Sequence, residues 1–241
     1  MKNIIVVARG VVKELLRRKD FYLILILLFI VVIYSGTLSF GSDRGLHRYF
    51  KEIGISLTYI FSIIIAVSFA ARQIPQEVES KSLYSLLAHP ISRFQFIAGK
   101  FCGAWFISIV SFTLFYAFFI ISVLIKSGLE GSWLLILEGY YLHILLLSFV
   151  VSLSILLSLF LSTAANIAAT LLFYFGNNWF GASVPGYIYI PHLELFDLKE
   201  RIIHAHGAVP AWVILFLTFY AACYCTIFLY LSYLVFKRKN L

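Results

Sequence analysis

Residues 72–100 read RQIPQEVESKSLYSLLAHPISRFQFIAGK, a long polar interruption in a chain that is otherwise close to lipid-soluble. Apolar runs flank it on both sides, so its reading decides how the chain is divided. Pro75 suits a first helical position, where its missing N–H has no intrahelical partner to lose. Glu77 and Glu79 then fall in the first turns, where the helix dipole favours carboxylates. Leu83, Leu86 and Leu87 follow at helical spacing, with Val78 near the edge of the same stripe, and Pro90 stops the helix. From Gln76 to His89 this makes roughly 21 Å of helix. Two readings of the amphipathic piece stand at this point: leucines resting on lipid headgroups, or leucines held in the cleft of a soluble partner.

The rest of the chain is built for a bilayer. Of 241 residues, 62% are hydrophobic and 12% charged, with a mean hydropathy of +0.96, outside the range of soluble domains. That length has room for about six spans of roughly 20 residues and little more. Six apolar runs fill it, near Phe21–Phe40, Ile53–Ala71, Ile97–Ile125, Trp133–Leu161, Thr163–Ser183 and Ala211–Phe236. The third and fourth exceed what a bilayer needs and are expected to tilt or project into water. Only the short Ser162–Asn166 link parts the fourth from the fifth, which predicts a hairpin. The fold expected is an all-α polytopic membrane protein, one transmembrane domain over residues 1–241. Its accessory parts are an interfacial helix over 1–20, the polar loop over 72–96 and an outer segment over 184–210. The first of these, MKNIIVVARGVVKELLRRKD, is basic and weakly amphipathic, without a small-residue cleavage site.

Orientation follows from lysine and arginine. With the N-terminus inside, the inner segments hold thirteen of the 19 basic residues and four acids, and the outer ones hold six basic and seven acidic residues. Both termini and the loop over 72–96 are therefore expected on the cytoplasmic side. The positive charge faces anionic lipid, and no nucleic-acid partner is needed to explain it. Cys102, Cys223 and Cys225, an odd number inside apolar runs, form no disulfide framework.

Ionisable groups in a span cost about 2.5–3.5 kcal/mol on insertion scales. Glu138 and His143 are the candidates; five residues apart on the fourth run, they project about 140° from one another. Asn166, Asn177 and Asn178 border the fifth run, and Gly176-Asn177-Asn178-Trp179 suits a helix break near the outer interface, at a loop end or at the rim of a water-filled space. In the outer segment His192, His204 and His206, with Glu194, Asp197 and Glu200 nearby, are the residues Cu or Zn would use. An i,i+2 histidine pair serves a helix poorly, and no metal site is assigned.

The string Glu77-x-Glu79-Ser80-Lys81-Ser82-Leu83-x-x-Leu86-Leu87-x-x-Pro90-Ile91-Ser92-Arg93, followed by Gly99-Lys100, resembles the first cytoplasmic loop of ABC-2-type transporter permeases. Order, spacing and membrane position agree, and Ser80-Lys81-Ser82 departs where Gly-Thr is more usual. A basic interfacial N-terminal helix, six spans and a longer outer segment before the last span are similar to that family over essentially the whole chain. Pro191–Ile202, PHLELFDLKERI, resembles a segment of its copper-enzyme-maturation branch.

The resemblance implies a transmembrane permease subunit of an ATP-driven exporter in the bacterial cytoplasmic membrane, two copies lining the path. The chain has no G-x-x-x-x-G-K-[ST] phosphate loop. ATP and Mg²⁺ would then belong to a separate ATP-binding subunit, itself in two copies, and this chain would bind no cofactor. The loop helix becomes a coupling helix, with Glu77, Glu79, Lys81, Leu83, Leu86, Leu87 and Arg93 facing that subunit and Lys100 beside Arg93 at the membrane surface. Glu138, His143, Asn166, Asn177 and Asn178 become candidates for the translocation path. The acidic outer stretch is expected to form an interfacial helix over the exit, with Leu193, Leu195 and Phe196 as its apolar face and Tyr187 and Tyr189 in the aromatic belt. The alternatives are a self-contained carrier or channel and an intramembrane enzyme. The first calls for paired intramembrane charges or inverted repeats, the second for acid, base or metal groups converging at one depth. Neither pattern is found.

Overall fold

A computed structural model describes residues 2–17, 19, 22–23, 26–27, 29–30, 43–79, 92–126, 133–180, 191–203 and 207–238. Among these every regular element is helical. They are α1 (Lys2–Leu16), α2 (Asp43–Arg72), α3 (Pro75–Glu79), α4 (Arg93–Lys126), α5 (Trp133–Leu157), α6 (Thr163–Phe180), a 3-10 turn (Leu193–Phe196), α7 (Lys199–Ile203) and α8 (Ala211–Arg238). Four stretches among the described residues are long and apolar enough to cross a membrane: Phe50–Val78, Arg93–Ile125, Trp133–Leu157 and Ala211–Arg238. The chain is a multi-pass membrane protein.

The boundaries follow local chemistry. No proline interrupts residues 43–72, and α2 starts at Asp43, not at Ile53, drawing the polar stretch ahead of the apolar run into the helix. At the start of α4 the Gln95 N–H donates to Ser92 Oγ and the Ser92 N–H donates to Gln95 Oε1, each at 3.2 Å. This reciprocal cap fixes where the helix begins after Pro90. The fourth run ends its helix at Leu157 rather than Leu161, and Ser158–Phe160 turn the chain into α6. The corner is held by Asn166: its Nδ2 donates to the Ser154 carbonyl at 2.9 Å, and Thr170 Oγ1 donates to its Oδ1 at 3.1 Å. The expected hairpin is therefore present, closed by a side-chain amide. α6 falls outside the four apolar stretches because its 18 residues include three asparagines. Of the first expected span, the described residues are helical, and Phe29 sets its ring edge-on against Phe115 and Phe118 of α4.

The core lies where α2, α4 and α5 meet. Tyr59, Ile63, Phe112, Leu146 and Phe149 are buried there. Lipid gives no hydrophobic drive between helices, so association relies on close packing and hydroxyl contacts. Gly54 of α2 receives the ring of Phe119, and Ser148 and Ser152 of α5 lie 3.4 and 3.6 Å from Cys225 Sγ of α8. α8 is the least enclosed: 17% of its apolar stretch is buried, against 61% for α5, so Trp212, Leu215, Phe216 and Phe219 face outward.

Candidate functional site

The polar loop leaves and re-enters the helices at one end of the bundle, the end where α2 and α8 finish on Arg72 and on Lys237 and Arg238. α3 is the described start of the expected coupling helix, its first turn from Pro75 to Glu79. Glu79 closes that turn; Lys81, Leu83, Leu86 and Leu87 lie outside the described residues. The Glu77 carboxylate forms an ion pair with the Lys100 ammonium of α4, and these side chains are 15% and 4% exposed. Lys100 Nζ also stands 5.7 Å from the centre of the Phe96 ring.

At the other root of the loop, Arg93 Nη1 donates to the carbonyls of Phe236 and Lys237, each at 2.8 Å. These are among the last carbonyls of α8, which have no intrahelical donor, and a cation there also meets the negative end of the helix dipole. The guanidinium sits 5.8 Å from the centre of the Phe236 ring, which stacks on Phe96 at 5.5 Å. Glu77, Lys100, Phe96, Phe236 and Arg93 thus form one continuous cluster tying α3, α4 and α8 together.

α1 joins the same corner. Val7 and Val11 are buried one turn apart, opposite Gly99 and Gly103 of α4. A Cβ on Gly99 would lie 2.6 Å from Val7 Cβ and 3.1 Å from the Ile4 carbonyl. One on Gly103 would lie 2.6 Å from Val11 Cβ and 2.9 Å from the Ala8 carbonyl. The G-x-x-x-G spacing lets the two backbones approach closely. In the sequence the pair shows only as two glycines four residues apart inside an apolar run.

The opposite end of the bundle is closed by the segment before α8. Asn177 grips it from both sides: Nδ2 donates to the Pro191 carbonyl at 2.7 Å, and Oδ1 accepts from the Leu193 N–H at 3.0 Å. The His192 N–H donates to Tyr220 Oη at 3.0 Å. Farther on, Glu138 Oε2 accepts from the Val209 N–H at 2.9 Å, with Glu138 itself buried. The segment is not one helix as expected but a 3-10 turn and a separate short helix. Leu193 and Phe196 are buried, while Leu195 faces outward and Leu198 takes its place. In a 3-10 turn, residues three apart eclipse, which puts Leu193 and Phe196 on one side and leaves Leu195 off it. Between this segment and α2 lies an open, charged cavity of about 510 Å³, lined by Glu52, Ser56, Glu194, Asp197, Lys199, Glu200, Arg201 and Ile203.

His143 stands apart from Glu138. It is fully buried, its Nε2 lies 2.7 Å from Ser62 Oγ of α2, and its ring packs against those of Tyr59 and Phe112, centres at 4.0 and 4.3 Å. The Tyr59 hydroxyl donates to the Gly139 carbonyl at 3.4 Å. The polar residues proposed for the spans therefore do not converge. Glu138 and Asn177 both hold the segment before α8, His143 joins α2 to α5, and Asn166 closes the hairpin; Asn178 sits in the last turn of α6. Among the described residues no three His, Cys, Asp or Glu side chains are grouped to hold a metal ion. His204 and His206 lie outside the described residues, as do Tyr187 and Tyr189.

No curated protein matches the chain. A family model described as "ABC-2 family transporter protein" matches residues 14–177, about two thirds of the sequence, from the end of α1 through the loop and its braces to Asn177 in α6. With its apolar helices, the match makes the chain a membrane component of a transporter, a member of the ABC-2 family.

Proposed function

We propose that this chain is the permease subunit of an ATP-driven exporter, two copies forming the path and two copies of a separate ATP-hydrolysing subunit driving it. The observation that carries the reading is the family match over residues 14–177, which takes in the polar loop and the helices on either side. On this reading the chain crosses the bacterial cytoplasmic membrane six times, with residues 21–40 as the first span and α2, α4, α5, α6 and α8 as the others. The basic end, with both termini, is cytoplasmic. Glu79, Lys81, Leu83, Leu86 and Leu87 face the ATP-binding subunit, with Glu77 and Arg93 at the roots of that surface. ATP and Mg²⁺ bind to the partner, and this chain holds no cofactor. Closure of the motor pair pushes on the loop and shifts the spans between inward- and outward-closed arrangements. Glu138, His143, Asn166, Asn177 and Asn178 mark the elements whose rearrangement opens the path. The family match ends before Pro191–Ile202, so the copper-enzyme-maturation branch rests on that segment's resemblance alone.

The test is purification of the tagged chain from its native membranes in mild detergent. A phosphate-loop ATPase recovered at equal stoichiometry is the expected result, with Glu79→Lys reducing its recovery while insertion is kept. A chain that purifies alone, even after crosslinking, overturns the reading.

A further inference from the structure

Residues 80–91 are joined to the described structure at Glu79 and Ser92, and the charged side chain beside each junction is already committed to the bundle. We infer that Glu77 and Arg93 are positioning residues that fasten the two roots of the loop to α4 and to the end of α8, so that a push on the loop moves both helices together. The inference rests on the transporter reading and divides the loop's residues into those that touch a partner and those that pass the push on.

Three observations carry it. First, the Glu77 carboxylate is mostly enclosed and paired with an ammonium that is almost wholly buried. A carboxylate in such a place has its orientation set by its partner, because leaving either charge alone there is strongly unfavourable. Second, Arg93 Nη1 donates at once to two of the last carbonyls of α8, groups that have no donor within their own helix. Third, the two anchors share a rigid spacer: Lys100 over Phe96, Phe96 stacked on Phe236, and Phe236 under Arg93. Neither α4 nor α8 can shift at this end without disturbing the other's anchor.

The alternative is that Glu77 meets the partner directly. A charge exchange separates the two. The chain, purified alone and with its ATP-binding subunit, is compared as wild type, Glu77→Lys, Lys100→Glu and the double exchange. Two quantities are read: the thermal midpoint of the chain alone, and the ATP hydrolysis rate of the complex. Each single reversal is expected to lower the midpoint and to change the hydrolysis rate by about tenfold, within the range of coupled sites. The double exchange is expected to recover both. Recovery of the midpoint without the rate assigns Glu77 to partner contact and overturns the inference, as does a midpoint indifferent to either reversal. Should the exchanged chain fail to insert, Glu77→Cys with Lys100→Cys takes its place. A crosslink between them by a short bis-maleimide, which reaches across the span of an ion pair where a direct disulfide need not, supports the pairing, and none overturns it. For the second anchor, Arg93→Gln is expected to lower the midpoint, with Arg93→Lys recovering part of the loss; equal effects of the two remove Arg93's role. If no ATPase accompanies wild type, the transporter reading fails, while the midpoints still report on the two anchors.

Discussion

Asn177 does the work of a short strand with a single side chain. Its amide offers an acceptor and a donor in one plane and closes hydrogen bonds to the backbone at Pro191 and Leu193. Replacing it by leucine strips both, and each buried backbone group left unpaired costs about 1–3 kcal/mol. Asn177→Leu is therefore expected to lower the thermal midpoint and release the segment that follows. A cysteine placed at Leu193 measures that release: shielded from a water-soluble maleimide in the parent, labelled in the Asn177→Leu background. Glu138 allows a finer comparison. Glu138→Gln keeps an acceptor for the Val209 N–H and is expected to stay within about 1 kcal/mol of the parent, whereas Glu138→Ala orphans that N–H and should lose more. Melting of the purified variants in detergent ranks them. Residues of this kind were visible in the sequence only as polar exceptions. Gly176-Asn177-Asn178-Trp179 suggests a helix break, yet α6 runs unbroken through all four residues to Phe180. Which backbone the amide would hold depends on a segment 14 to 16 residues away, and no local pattern carries that.

Elements were more legible than contacts. Pro75 opening α3, the turn between α5 and α6 and the final span at Ala211 agree with the sequence reading because each depends on local chemistry: a proline, a short polar link, an apolar run. The start of α2 was missed for a related reason. Hydropathy finds where lipid begins, and a helix without proline or a cap continues into water past that point. The segment before α8 keeps two of its three expected apolar contacts: in the 3-10 turn Leu193 and Phe196, three apart, share the buried side, and Leu195 is left off it. The seat of α1 is the element on which substitution should tell most. Gly99→Ala and Gly103→Ala each push a methyl group into a valine and a backbone carbonyl of α1. Overpacking of this sort costs about 1–3 kcal/mol. Gly10, on α1 itself, has nothing within 4 Å of an added Cβ, so Gly10→Ala is expected to be neutral or to gain up to about 1 kcal/mol from helix propensity. Thermal midpoints of the three variants check the contrast; a Gly10 effect as large as that at Gly99 would contradict the proposed seat.

At the scale of the whole molecule the two ends of the bundle are fastened differently. The basic end is held by charge, through Glu77 with Lys100 and Arg93 with the last carbonyls of α8. The other end is held by neutral or single-carboxylate hydrogen bonds to backbone, at Asn177, Tyr220 and Glu138. Ser92→Cys and Leu195→Cys, both at exposed positions, should accept a membrane-impermeant maleimide from opposite faces, Ser92 only when the cytoplasmic side is opened. Labelling of both from one face would overturn the proposed topology. The bundle's length also has a mechanical meaning. α4 is a single helix of 34 residues, a rod of about 50 Å gripped near its base by the charges at Arg93 and Lys100. A turn of about 5° at the gripped end sweeps the far end through about 4 Å, so the rod acts as an amplifier. A motion of a few degrees at the base thus becomes a displacement of several ångströms at the distal tip.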